Sequence, residues 1–438
     1  MKTLPIRPLA PSAAPTGPGP GAPPPDNRWR LARLSTAPHR LGFFAAALLL
    51  ATSAVWWAWV LASPHAGITV TWAVPPPAAH GLLMSLGFMP LFIVGFLFTA
   101  GPRWLALPDV SATTLRMPVL AMVAGWAVAL AGFHVASAVA TVGVAMVALG
   151  WSALARRFVR LLRTSRAPDK LHATMVAVAC GVGALALWAA AAALALGDIT
   201  ALRGATQLAL WGFLAPVFAT VSHRMIPFFT ASALPALDAW RPNALLWVML
   251  AVLWLQLPFA LAELAWWPLP AAARWLQVAI EAPAAALMLW LAWRWGLVQS
   301  LRIRLLAMLH AGFLWLGIAL ALAAVSHALM AASGDAQSLG LAPMHALTMG
   351  YLGGTLIAMI TRVAAGHSGR ALVADDLAWG LYWAFQLAAT LRVAAGLWPA
   401  LATALTLASI AAWTMAALGW AWRYGGWLGR PRADGRPG

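Results

Sequence analysis

The sequence predicts an all-α polytopic membrane protein of about 12 transmembrane helices with both termini cytoplasmic. Three observations carry that expectation. Hydrophobic residues make up 63% of the 438-residue chain and charged residues only 9%, with a mean hydropathy of +0.81. The apolar residues gather into stretches long enough to cross a bilayer, and the basic residues fall in alternate connecting segments. A water-soluble domain of this length would have too little polar surface to cover itself.

A helix needs roughly 20 apolar residues to cross a ~30 Å hydrocarbon core. Twelve stretches approach this length: 41–62, 82–101, 117–134, 136–155, 173–195, 204–222, 244–265, 271–293, 305–330, 344–361, 377–395 and 400–422. Together, 41–422 reads as one transmembrane domain. Residues 1–40 read as a disordered cytoplasmic leader, because 8–25 are rich in Pro, Ala and Gly and hold no charge before Asp26, a composition that cannot bury a core. The apolar run from 41 onward is too long for a cleavable signal and lacks a small-residue processing site, so the first span is expected to be a permanent anchor. Residues 423–438 read as a short basic cytoplasmic tail.

Charge orients the spans, since cytoplasmic loops are enriched in Lys and Arg. With both ends inside, 25 of the 28 basic residues fall on the cytoplasmic side and only Arg203, Arg274 and Arg392 fall outside. The net charge of +17 is spread over short loops beside the bilayer, which points to anionic membrane lipid as the partner and away from nucleic acid. A lone cysteine, Cys180, excludes an intrachain disulfide and Cys-based metal cages. Among 27 tryptophans, Trp56, Trp57, Trp104, Trp266, Trp267, Trp293 and Trp295 sit where interfacial belts are expected. No feature of the sequence points to an oligomeric state.

Of the ten histidines, His39 in the leader and His65 in the first outer loop are expected to be solvated. The other eight divide evenly between the two membrane borders. His80, His134, His327 and His345 lie toward the outer face, whereas His172, His223, His310 and His367 lie toward the cytoplasm. Ionisable groups at membrane depth are costly and are functional candidates by default.

The sharpest pattern is in the outer group. The second span opens HGLLM, His80 to Met84, and the tenth opens HALTM, His345 to Met349. Each places an imidazole and a thioether four residues apart, on one helical face. Imidazole suits haem iron and copper, and thioether suits Cu(I) or a low-spin haem; the bland reading is core packing, since Met fills gaps readily. Gly87 and Gly95 form a small-residue stripe that would let a helix or a flat macrocycle approach closely, and Pro90 is expected to bend that span.

In the inner group, SHRMIPFFT at 222–230 sets His223 beside Arg224, and TRVAAGHSGR at 361–370 sets His367 between Arg362 and Arg370. Such arginines suit haem propionates or lipid phosphate equally. His310 lies one to two turns inside the ninth span and is a ligand candidate, whereas His172, His134 and His327 read as ordinary helix-end histidines. Glu281, four residues after Gln277, is the one carboxylate deep in a span, where a protonated or paired state is expected.

The segments HGLLMSLGFMPLFIVGFLFTAGPRW, HRMIPFFT, LHAGFLWLG and HALTMGYLGGTLIAMITRVAAGHSGR, in this order, resemble the NnrS family of bacterial membrane proteins over roughly residues 40–420. The resemblance implies a multi-pass protein of the bacterial inner membrane that contains haem, b-type by expectation, and copper, and that is linked to nitric oxide metabolism and defence against nitrosative stress. Carried over by position, it implies His80, His223, His310, His345 and His367 as cofactor-binding residues, with Arg224 and Arg362 beside them. Many members read H-A-H-E-M where this chain has HGLLM, so Leu82 and Leu83 replace a histidine and a glutamate.

Two function classes follow. One is a haem or copper protein that binds or converts nitric oxide or a related small molecule, its metal held by His80, Met84, His345 and Met349. The other is a proton-coupled or small-solute transporter built on the membrane-border histidines and Glu281. Whether any reaction is catalysed is left open at this stage.

Overall fold

The computed structural model describes residues 27–435. Among them every regular element is helical. In chain order the elements are α1 (Pro38–Ala62), α2 (Pro76–Leu86), α3 (Phe88–Trp104), α4 (Arg116–Val135), α5 (Ser137–Thr164), α6 (Leu171–Leu196), α7 (Ile199–Gln207), α8 (Ala215–Ala233), α9 (Asn243–Ala265), α10 (Ala271–Arg294), the short α11 (Leu297–Ser300), α12 (Arg304–Ser333), the short α13 (Ala342–His345), α14 (Gly354–His367), α15 (Asp376–Leu397) and α16 (Ala402–Leu428). The π-helical stretches Leu208–Leu214 and Ala346–Gly353 join α7 to α8 and α13 to α14, making two long, locally widened helices.

Eleven of these helical runs are long and apolar enough to cross a membrane. The twelfth expected span corresponds to α15, 22 residues long and thus about 33 Å at 1.5 Å per residue. Asp376 and Arg392 reduce its mean hydropathy. Its contacts show that it runs from one face to the other. At its start Asp375 and Asp376 pair with Arg423 of α16 and Arg304 of α12. At its end Gly396 packs on Leu339 and Ala342 beside α13.

Burial sorts the helices into two layers. In the runs Pro76–Trp104 and Ala342–His367, 78% of the apolar window is buried, and in Ile199–Ala233 and Arg304–Ser333 67% is buried. In α9 and in the final run only 28% is. Four runs therefore form the centre, and these four carry His80, His223, His310, His345 and His367. Close helix contacts depend on missing side chains, as expected where apolar association in lipid is driven by packing. A Cβ on Gly42 would lie 2.5 Å from Gly95 N, so the Gly95 stripe serves the packing of α1 on α3. Gly87, by contrast, breaks α2 from α3 with φ −75° and ψ −85°. Three residues on, Pro90 lacks the N–H that would continue the ladder.

The chain ends differ from expectation. Residues 1–26 of the leader lie outside the described residues, but 27–40 are folded: Leu31–Ser35 form a 3-10 turn and α1 begins at Pro38. Trp29 donates to Gly425 O at 3.1 Å, and Arg40 donates to Leu428 O and Arg430 O. Part of the expected tail is helix, because α16 continues to Leu428. Docking of the two ends supplies buried partners that composition alone does not reveal.

Candidate functional site

Four side chains singled out by the HxxxM pattern line one cavity of about 570 Å³: His80 and Met84 from α2, His345 from the end of α13, and Met349 from the π-helical turn that follows. The volume falls in the range of cofactor and ligand sites, and the wall is mostly apolar. Both π-helical stretches contribute to it, through Leu210 and Leu214 on one side and Thr348, Met349 and Leu352 on the other. Such widened turns are frequent at functional sites because they re-aim side chains without ending the helix.

The two imidazoles are held differently. His345 Nδ1 lies 2.9 Å from Leu341 O, and a carbonyl only accepts. The proton is therefore on Nδ1, and in the neutral ring Nε2 carries a lone pair; such a backbone bond commonly orients a metal-ligating histidine. His80 stacks on Trp57, with ring centroids 3.9 Å apart and planes at 23°, and its buried Nδ1 has no partner. Trp57 is thus a wall of the cavity.

Two arginines, Arg203 of α7 and Arg392 of α15, also line the cavity. Motif reasoning passed over both. Yet together with Arg274 they are the three basic residues on the wrong side of the charge-derived topology; Arg274 is fully buried, Arg392 partly buried and Arg203 exposed. That exception to the charge rule was the available signal. Leu82 and Leu83 are fully buried in the core and stand outside this wall.

The inner group does not converge in the same way. His223 donates from Nε2 to Pro242 O at 3.2 Å and, through Nδ1, accepts from His172 Nε2 at 3.0 Å. Both nitrogens of His223 are engaged, which leaves no lone pair for a metal in this arrangement. His172, expected to be interfacial, is buried beside it. His310 Nε2 bonds Thr230 Oγ1 at 2.9 Å, and its buried Nδ1 has no partner. His367 packs on His39 with centroids 4.4 Å apart, so His39 is a buried member of this group rather than a solvated leader residue. Arg224 lies over Trp104 and Arg362 over Phe229, at 5.0 and 4.1 Å from the ring centroids. These are cation–π contacts. The inner residues thus form three separate pairs rather than one site.

The remaining outer histidines divide. His134 donates from Nδ1 to Thr71 O at 3.0 Å and accepts from Trp56 Nε1 at 2.9 Å, so it is fully satisfied. His327 bonds Glu281 Oε2 at 2.7 Å, which places Glu281 in the paired state expected of it. Among the described residues no cluster of three or more His, Cys, Asp or Glu side chains is arranged to hold a metal ion.

No curated protein matches the chain. The family model described as NnrS protein matches residues 33–432, nearly the whole chain and all of the elements that build the cavity. The chain therefore belongs to the NnrS family.

Proposed function

We propose that this protein is a haem-carrying membrane protein of nitric oxide metabolism or nitrosative-stress defence in the bacterial inner membrane. Its haem, b-type, would occupy the cavity between α2 and α13. The observation that carries the reading is the convergence of His80, His345, Met84, Met349, Arg203 and Arg392 on one largely apolar space. His80, His345, Met84 and Met349 would be the residues to hold the haem, and the guanidiniums of Arg203 and Arg392 suit its propionates.

When bound, haem supplies an iron able to take up a small uncharged ligand such as nitric oxide. The chain's residues do the rest. The Leu341 carbonyl fixes the tautomer of His345, so its Nε2 faces the cavity as a base. Trp57 holds the plane of the His80 ring. Met84 and Met349 offer soft donors and keep the wall dry, which raises the weight of every charge inside it. Copper would draw on the same imidazoles and thioethers, a set suited to Cu(I); the cavity volume and the two arginines favour haem, because a single ion needs neither.

Optical and resonance spectra of detergent-purified protein, with metal analysis, test this reading. A Soret band is expected in the wild type and is lost in His80→Ala or His345→Ala. Addition of nitric oxide to the reduced protein is expected to shift the band. Wild-type protein with copper and no haem would replace the reading by a copper site, and protein with neither would end it.

A further inference from the structure

Beside the first cavity lies a second of about 630 Å³, and the two share Arg203, Gln207, Leu341 and Met344 as wall residues. It is much more polar. Its mouth is marked by exposed residues at the ends of elements, Thr200, Trp267, Ser338 and Gly340. At about 30 Å³ per water, its volume has room for on the order of 20 water molecules.

Glu281 of α10 lines this space and is fully buried. Its Oε2 bonds His327 Nδ1 of α12, whereas its Oε1 has no partner. A buried carboxylate oxygen without a partner is costly, so it calls for a proton or a donor from the cavity. The other nitrogen of His327 faces Gln277 Nε2 at 3.4 Å and Glu263 Oε1 of α9 at 3.7 Å. The pair thus offers two positions for one further proton, Glu281 Oε1 and His327 Nε2.

The charged groups around the pair leave that proton unsupplied. Arg274 of α10, itself fully buried, pairs with Glu263 and with Asp335, the latter at 3.1 Å. Arg203 of α7 stands at the wall shared with the first cavity. Arg274 is thus already shared between Glu263 and Asp335, and the fully buried Glu281 has no guanidinium partner of its own. A buried carboxylate whose one partner is an imidazole is costly to keep charged, and a proton on the Glu281–His327 pair is favoured further when another negative charge arrives nearby.

We infer that the Glu281–His327 pair is a proton-loading site that compensates charge arriving in the neighbouring cavity. This rests on the haem reading above. When an external one-electron reductant places one electron in the first cavity, one proton from the aqueous phase enters through the mouth of the second and binds the pair. The net charge of the interior is then unchanged. Coupled groups of this kind titrate as a unit, so the proton belongs to the pair rather than to either residue.

The test uses the full-length protein in two measurements. In pH-difference infrared spectra, the carbonyl stretch of a protonated carboxyl is expected in the wild type and is absent from the isosteric Glu281→Gln. This measurement does not depend on haem. In redox titrations followed at the Soret band, uptake of one proton per electron lowers the midpoint by about 59 mV for each tenfold fall in proton activity. That slope is expected in the wild type, flattens in Glu281→Gln and His327→Gln, and persists in His134→Gln, which lies outside both cavities. A Soret band with a flat wild-type potential, or an unchanged slope in Glu281→Gln, overturns the inference and leaves the haem reading standing. Absence of any Soret band overturns the haem reading and the coupling with it.

Discussion

The two membrane borders of this protein start from the same material and use it differently. At one border, His80 and His345 turn toward a common space with Met84, Met349 and two arginines, and an imidazole lone pair is left over. At the other, His172 bonds His223, His39 packs on His367, and His310 bonds a threonine. Counting histidines at a membrane border therefore says little about ligation. What separates the two cases is whether each ring nitrogen already has a protein partner and whether an open volume faces the ring.

The strongest way to break this contrast is to move the expected loss of haem from one border to the other. His345→Ala is expected to abolish the Soret band of purified protein, whereas His223→Ala and His367→Ala retain it; the reverse pattern would assign the cofactor to the inner border. Next in size is Arg274→Ala. It leaves Glu263 and Asp335 without their cation beside the second cavity, which costs about 3–5 kcal/mol for a broken buried pair and should appear as a lowered unfolding midpoint in detergent. Arg203→Gln and Arg392→Gln would each remove one charge-assisted bond to a propionate of the proposed haem, about 1.5–3 kcal/mol. Haem retention during dilution is expected to fall by roughly ten- to a hundred-fold, since about 1.4 kcal/mol is a factor of ten. Arg224→Gln and Arg362→Gln, which lose only cation–π contacts, should leave retention unchanged. The smallest effect is expected for His39→Phe, which keeps a ring against His367 and should change stability by less than about 1 kcal/mol with an unaltered haem spectrum.

The site was legible in part. The paired HxxxM segments named four wall residues of the first cavity, because four-residue spacing fixes a helical face whatever the surroundings. Arg203 and Arg392 were visible only as violations of the charge rule, and motif reading passed over them. His39 was misjudged because a composition argument about residues 8–25 was extended to a residue that α1 buries. The stacking of Trp57 on His80 was not foreseen, since it links α1 to α2 and leaves no local trace. Glu281 was expected to be protonated or paired, but which residue meets it, His327 from α12, was decided by the packing.

The sequence alone determined the class and, to within one, the number of membrane-length apolar helices, because transfer of apolar segments into lipid depends on local length and hydropathy. Tertiary structure decided which polar residues meet. In hydrocarbon each buried donor or acceptor seeks whichever partner the packed helices place within about 3 Å. The choice between a ring that bonds its neighbour and a ring that faces a cavity therefore depends on crossings set by distant glycines and widened turns, such as Gly42 against Gly95 and the stretch Ala346–Gly353.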